Sequence, residues 1–155
     1  MNRISKNITY NEATHSATAT RKGIKNEPNT DQRFNMSIVA EKVFEPLRNW
    51  HGKAIGISSG YRSKALNTAI KGSKTSQHCF GQALDIDADI FDNGITNADI
   101  FNWIKDNLEF DQMIWEFGTD DEPDWVHVSY VTHRANRKKL TRAHNTKPTY
   151  RDYTG

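Results

Sequence analysis

The sequence predicts one α+β domain, a small antiparallel sheet with helices packed against it. Three observations carry that expectation. Helical periodicity runs strongly over residues 31–50, a second helix with its own cap is written at 96–107, and four short strand-like segments punctuate the rest of the chain. Two of these, residues 112–117 and 125–130, are joined only by the acidic turn 118–123, which suits antiparallel neighbours.

Up to Thr30 the chain is rich in Thr, Asn and Ser, with room for a short helix over residues 11–20. Beyond Asp31, the residues Met36, Val39, Ala40, Val43, Leu47 and Trp50 recur at helical spacing and are expected to face the core. Pro46 falls inside this run and should kink it, since it lacks the amide proton of a helix ladder. Gly52 supplies a stop. Ala54-Ile55-Gly56-Ile57-Ser58 reads as a short buried strand, and Ser63 caps a helix that reaches Ile70 and is closed by Gly72. Residues 82–87 alternate enough to be a strand. Thr96-Asn97-Ala98-Asp99 forms a capping box that opens a helix through Asn107, with Ile100, Trp103 and Ile104 turned inward.

At 155 residues the chain suffices for one hydrophobic core. Hydrophobic residues make up only 35%, but seven Phe, four Trp and five Tyr argue against a disordered chain. A net charge of +2 is too small to imply a nucleic-acid partner. The single cysteine, Cys79, excludes an internal disulfide. No apolar run is long enough to span a membrane, and the first residues lack the apolar core of a signal peptide. The expectation is a monomer that is cytoplasmic as synthesised.

Chemistry concentrates in two places. In Ser76-Gln77-His78-Cys79-Phe80-Gly81-Gln82-Ala83-Leu84-Asp85, a histidine and an aspartate seven apart can meet at one metal if a loop feeds a strand. A third ligand is offered by His127 in Asp124-Trp125-Val126-His127-Val128-Ser129-Tyr130. Strand alternation there puts Trp125, His127 and Ser129 on one face and Val126, Val128 and Tyr130 on the other. Spacing alone leaves a metal site and ordinary hydrogen-bonded histidines both open.

Three motifs in order decide between them. Ser58-Ser59-Gly60-Tyr61-Arg62-Ser63 with Leu66-Asn67, Ser76-x-His78 through Gly81-x-Ala83-x-Asp85, and Trp125-Val126-His127-Val128-Ser129 resemble the D-Ala-D-Ala metallopeptidase family. That family includes zinc D,D-carboxypeptidases, D,D-dipeptidases and phage L-alanyl-D-glutamate endolysins. The resemblance implies that His78, Asp85 and His127 hold one Zn2+ at the sheet face, with a peptidoglycan stem peptide as substrate. Arg62 would hold a substrate carboxylate or the oxyanion, the alternative being that it ties loops together. Ser76 and Gln77 would line the pocket or cap the loop, and Gly81 and Ala83 would leave room around the metal.

The general base is less determined. Part of the family has Glu three positions before the last histidine ligand, where this chain has Asp124. Others carry histidine two positions before, where Trp125 stands. Three steps along a strand turn a side chain to the opposite face, so Asp124 requires a bend, which Pro123 could make. Glu116 on the neighbouring strand is the second candidate.

Other polar groups read more plainly. Asp87 is a solvated carboxylate, Asp120-Asp121-Glu122 a solvated turn, and Cys79 a small, partly buried side chain. Residues 1–133 would form the peptidase domain. Residues 134–155, with Arg134, Arg137, Lys138, Lys139, Arg142, Lys147 and Arg151, would form a basic, mobile tail. Two functions fit: hydrolysis of cell-wall peptides, by a compact enzyme of phage type, or an inactive zinc-containing binding module of the same fold.

Overall fold

Apolar and polar residues alternate along the strands, and that alternation separates the two faces of one sheet. The structure, a computed structural model, describes residues 2–155. The chain opens with a hairpin, β1 (Arg3–Ser5) and β2 (Ile8–Thr9), then short helices α1 (Tyr10–Thr14) and α2 (Ala17–Lys22). Helix α3 (Thr30–Val39) passes through a π-helical turn at Ala40–Phe44 into α4 (Glu45–His51). Next come β3 (Gly56–Ser59), α5 (Lys64–Ala69), β4 (Ala83–Asp87), α6 (Asn97–Asn107), β5 (Gln112–Glu116), β6 (Trp125–Ser129), β7 (Lys139–Ala143) and β8 (Tyr150–Asp152).

The expected caps are present. Thr96 and Asp99 form the capping box of α6, and Ser63 accepts a hydrogen bond from the Leu66 amide at the start of α5. Pro46 does not break its helix. It occupies the first turn of α4, where a missing amide proton costs little, directly after the π-turn. That turn shifts the phase of α4. Met36, Val39, Ala40, Val43 and Leu47 are buried, whereas Trp50, expected in the core, is half-exposed and stacks on Trp103 with ring centroids 5.1 Å apart. A π-turn takes an additional residue, so a count at α-helical spacing drifts beyond it. Glu45, buried at the end of this turn, accepts hydrogen bonds from Ser5 Oγ and from the backbone and side-chain amides of Asn7. The N-terminal hairpin is thereby fastened to the helical layer.

Strands run in the order β3-β4-β6-β5-β7-β8. All pairs are antiparallel except β5 with β7, so the larger sheet is mixed. The fold class is α+β, as expected, with the two-stranded hairpin as a second, small antiparallel sheet. One face of the larger sheet carries Leu84, Ile86, Met113, Trp115, Val126 and Val128, which join Met36, Val43, Phe44, Leu47, Ile100, Phe101 and Ile104 in a single core. The helices therefore cover that face. The opposite face carries Asp85, Ile114, Glu116, His127 and Ser129. Among the described residues, no helix is long and apolar enough to cross a membrane.

Residues 134–155 contain β7 and β8, and the two strands complete the sheet. The charge of this segment hides them in the sequence, because several of its cations are used internally. To run parallel to β5, β7 must first cross its end, and the crossing loop is pinned by Asp111. This fully buried carboxylate accepts from the guanidinium groups of Arg134 and Arg137, from the Arg137 backbone amide and from Gln77 Nε2. Burial alone would raise its pKa, but these hydrogen bonds outweigh it and hold the carboxyl well below the usual carboxylate range. The stability it contributes is present above its unfolded value near 3.8 and is lost only as the pH falls through the lower folded value. Asp111→Asn is expected to cost about 2 kcal/mol at neutral pH, roughly 4–8 °C in Tm by thermal denaturation, since the half-exposed arginines lose little by returning to water.

Candidate metal centre

Three segments distant in sequence meet on the open face of the sheet. Residues 77–80 make a single 3-10 turn that Gly81 ends in the left-handed conformation, φ +74°, so that the chain turns directly into β4. A Cβ on Gly81 would lie 2.3 Å from the Gln32 carbonyl oxygen. The turn and the close pass of α3 therefore account for this glycine, rather than room around a metal. Asp85 lies on β4 and is paired in register with His127 on β6. Directly paired residues point to the same side, so the two side chains are neighbours on one face.

The geometry of the cluster is specific. His78 Nδ1 lies 2.6 Å from the Gly60 carbonyl oxygen. A carbonyl can only accept, so Nδ1 carries the proton and the Nε2 lone pair turns inward. There it faces Asp85 Oδ1 at 3.1 Å, and His127 Nδ1 reaches the same oxygen at 3.1 Å. All three residues are less than 10% exposed, and their ligand atoms lie within 4.8 Å of one another. A lone pair facing a carboxylate in a buried site calls for a positive charge between them. The donor set fits a metal ion: tetrahedral coordination with bonds of 2.0–2.1 Å has ligand-to-ligand edges of about 3.3 Å, close to the spacings here. Burial alone would raise the pKa of Asp85. The charges and hydrogen bonds of His78 and His127 outweigh it when those imidazoles carry both protons, and the carboxyl is then held well below the usual range; with Nε2 of His78 unprotonated, that counter-charge must come from a cation instead.

The Gly60-Tyr61-Arg62 segment is positioned by the N-terminal helices. Tyr61 donates its amide to the Ala13 carbonyl, Asn26 bridges the Thr14 and Tyr61 carbonyls, and Arg62 donates its amide to the His78 carbonyl. Arg62 NH1 is held by Asn67 Oδ1 at 3.1 Å, with the guanidinium lining a cleft of about 560 Å³. His78, Asp85 and His127 line this cleft, as do Ser76, Gln77, Glu116, Trp125 and Tyr150. Glu116 is 6% exposed and, among the described residues, makes no side-chain hydrogen bond. Burial pushes its pKa up to about 7; His127 and Arg62 pull down and Asp85 pushes up. Residues 6–129 match the protein family described as Peptidase M15. The chain belongs to the M15 peptidases. No curated protein matches it.

Within this M15 chain, only one of the two candidate bases lines the cleft. Asp124 is exposed, just ahead of β6, and does not line the cleft. Its backbone amide donates to the Glu116 carbonyl, while its side chain is close enough to Asp89 to help raise that carboxyl, together with Asp87, Glu122 and Asp92. It thus belongs to an acidic patch away from His127. The bend at Pro123 does not bring it round. Glu116 pairs in register with Trp125 and so stands on the same sheet face as His78, Asp85 and His127.

The remaining residues divide between cleft and scaffold. Gln77 spends its amide on Asp111, and Ser76 lines the cleft with its carbonyl engaged by the Cys79 amide. Asp87 accepts from the Asp89 amide and from Asn97, and Glu122 accepts from the Asn97 amide. Cys79 is buried, and burial raises its pKa despite the pull of Arg62 and Lys64, which leaves a thiol rather than a nucleophilic thiolate. Ile114, Phe117 and Tyr150 also line the cleft. No sequence motif marks them, and Tyr150 is hidden inside the basic segment. A separate concavity of about 620 Å³ at β3, bordered by Glu12, His15, Ser58, Ile90 and Phe91, gathers no such ligand cluster.

Proposed function

We propose that the chain is a zinc-dependent hydrolase of peptide bonds in bacterial peptidoglycan. The observation that carries this reading is the convergence of His78, Asp85 and His127 at a cleft that also holds a carboxyl group poised near neutrality. Membership of the M15 peptidases supports the reaction class. His78 through Nε2, Asp85 through Oδ1 and His127 through Nδ1 would hold one Zn2+, for which two imidazoles and a carboxylate are a suitable set. When bound, zinc supplies Lewis acidity and a lowered pKa for water, which hydrolysis of an amide at neutral pH requires.

Glu116, and not Asp124, is the general base in this reading. A carboxylate at the cleft wall can take a proton from water and return it to the leaving amine, and a pKa near operating pH serves both transfers. Arg62, always charged and held by Asn67, steadies a substrate carboxylate or the developing oxyanion. Ser76 and Gln77 contribute to the wall against which the stem peptide lies.

The test is cleavage of purified peptidoglycan fragments by zinc-loaded protein, with His78→Ala alongside and products read by mass spectrometry. New termini at D-Ala-D-Ala or at L-Ala-D-Glu, absent with His78→Ala, are the expected result and identify the bond. One bound zinc per chain with no cleavage would instead favour the binding module, a reading to which Trp125 lends weight because other M15 members carry histidine there.

A further inference from the structure

The M15 match ends at residue 129, yet the cleft does not. One of its walls comes from β8, which begins only at Tyr150. Tyr150 pairs in register with Ala143, Ala143 with Glu116, and Glu116 with Trp125, so these four side chains form one row across β8, β7, β5 and β6 on the metal face. The methyl group of Ala143 is the only side chain in the row between Tyr150 and Glu116. A small residue there leaves the tyrosine free to lean inward over it.

Strand β8 is a built element. The turn before it is closed by the His144 amide on the Thr149 carbonyl, and Arg151 binds the Pro148 carbonyl and Thr146 Oγ1. Just past it, Tyr153 donates its amide to the Leu140 carbonyl and packs between Phe101 and Trp115, at 4.8 and 5.9 Å between ring centroids. Tyr150 is therefore held at both ends of its strand while the residue itself remains 57% exposed. The phenol is raised in pKa by burial first, then by Glu116 and Asp85, against the pull of Arg62. It remains a protonated donor, and its electrostatic neighbours are groups of the cleft.

Arg62 and Tyr150 arrive from opposite edges of the sheet, the first from the loop after β3 and the second from β8. The triad and Glu116 lie between. A peptide bound across the strands would pass from one to the other. Three strand steps separate β8 from β6, about 14 Å at roughly 4.8 Å per step. An extended peptide covers about 3.3 Å per residue. A side chain leaning in from β8 thus meets the peptide a few residues from the bond at the metal cluster.

We propose that Tyr150 is a substrate-contacting residue that donates its phenol hydrogen to a backbone or carboxylate oxygen of the peptide, away from the scissile bond, and so selects longer stem peptides. The inference rests on the peptidase reading above. Its test compares full-length, zinc-loaded wild type, Tyr150→Phe and Tyr150→Ala on a stem pentapeptide and on the dipeptide of the same scissile bond. The ratio of kcat/KM for the long over the short substrate should fall about 3–10-fold in Tyr150→Phe and about tenfold or more in Tyr150→Ala, one hydrogen bond and then the ring being lost. Pentapeptide binding to the metal-free protein, measured by calorimetry, should weaken in parallel. Variants that keep the wild-type ratio and affinity overturn the inference while leaving the peptidase reading intact. An equal loss on both substrates together with a lower Tm would make Tyr150 merely structural and also overturn it. Wild type that cleaves neither peptide overturns both readings.

Discussion

Glu116→Gln is expected to retain one zinc per chain and to lower kcat by about 10²–10⁴-fold, the usual contribution of a positioned base. The amide keeps the shape of the side chain and loses only its ability to take a proton. The pH dependence carries the sharper signature. Glu116 acts as base when ionised, so wild-type kcat/KM should rise with pH along a limb set by this group and flatten above it. In the metal-free protein its pKa is about 7, and a cation at the triad would lower it, placing the limb below 7. Residual activity of the variant should lack that limb. The same group has a second, independent effect. Its folded pKa is raised from 4.5 to about 7, so the metal-free folded protein holds a proton that the unfolded chain releases, and stability falls as pH rises through that window. Metal-free Glu116→Gln should therefore be more stable than wild type above pH 7. An unchanged kcat in the variant would return the role of base to another group.

Asp85→Ala should remove the metal and the activity together. Its Oδ1 is the atom to which both imidazoles point, and no other described carboxylate lies within the cluster. Zinc content measured by mass spectrometry should fall from one per chain to a small fraction, and cleavage should drop by about 10³-fold or more. Stability should change with it by linkage. An ion at about a thousand times its Kd adds about 4 kcal/mol to the folded state, roughly 8–16 °C in a chain of this size. Zinc should raise the Tm of wild type by that order and leave Asp85→Ala where the chelated wild type lies. A variant that bound one zinc as tightly as wild type would sink the assignment of ligands.

Local signals in the sequence translate well into structure, and signals that depend on register do not. Thr96 and Asp99 mark the start of α6 because a capping box is chemistry between neighbours. Val126 and Val128 against His127 reveal the two faces of β6 because alternation is local too. The same alternation shows that Asp124 cannot share a regular strand face with His127. What it cannot show is that β5 pairs with β6 so that Glu116 stands opposite Trp125. Trp50 is mispredicted because the π-turn before it leaves no mark in the hydrophobic pattern. Strands β7 and β8 are masked by arginines whose charges are satisfied by Asp111 and Asp120, far away in sequence. The parallel pairing of β7 with β5 depends on a crossing loop that only that distant pairing explains.

The partner that orients His78 is the carbonyl of Gly60, and the contacts nearest that carbonyl are between main chains: the Tyr61 amide on the Ala13 carbonyl, and a glycine where any Cβ would lie 2.4 Å from the same oxygen. An alanine scan of the cleft would pass over this relationship, because it removes side chains and the group concerned is not one. Only an altered main chain, such as an ester in place of the amide at Tyr61, would reveal how much of the histidine's orientation is owed to the helix at the N-terminus.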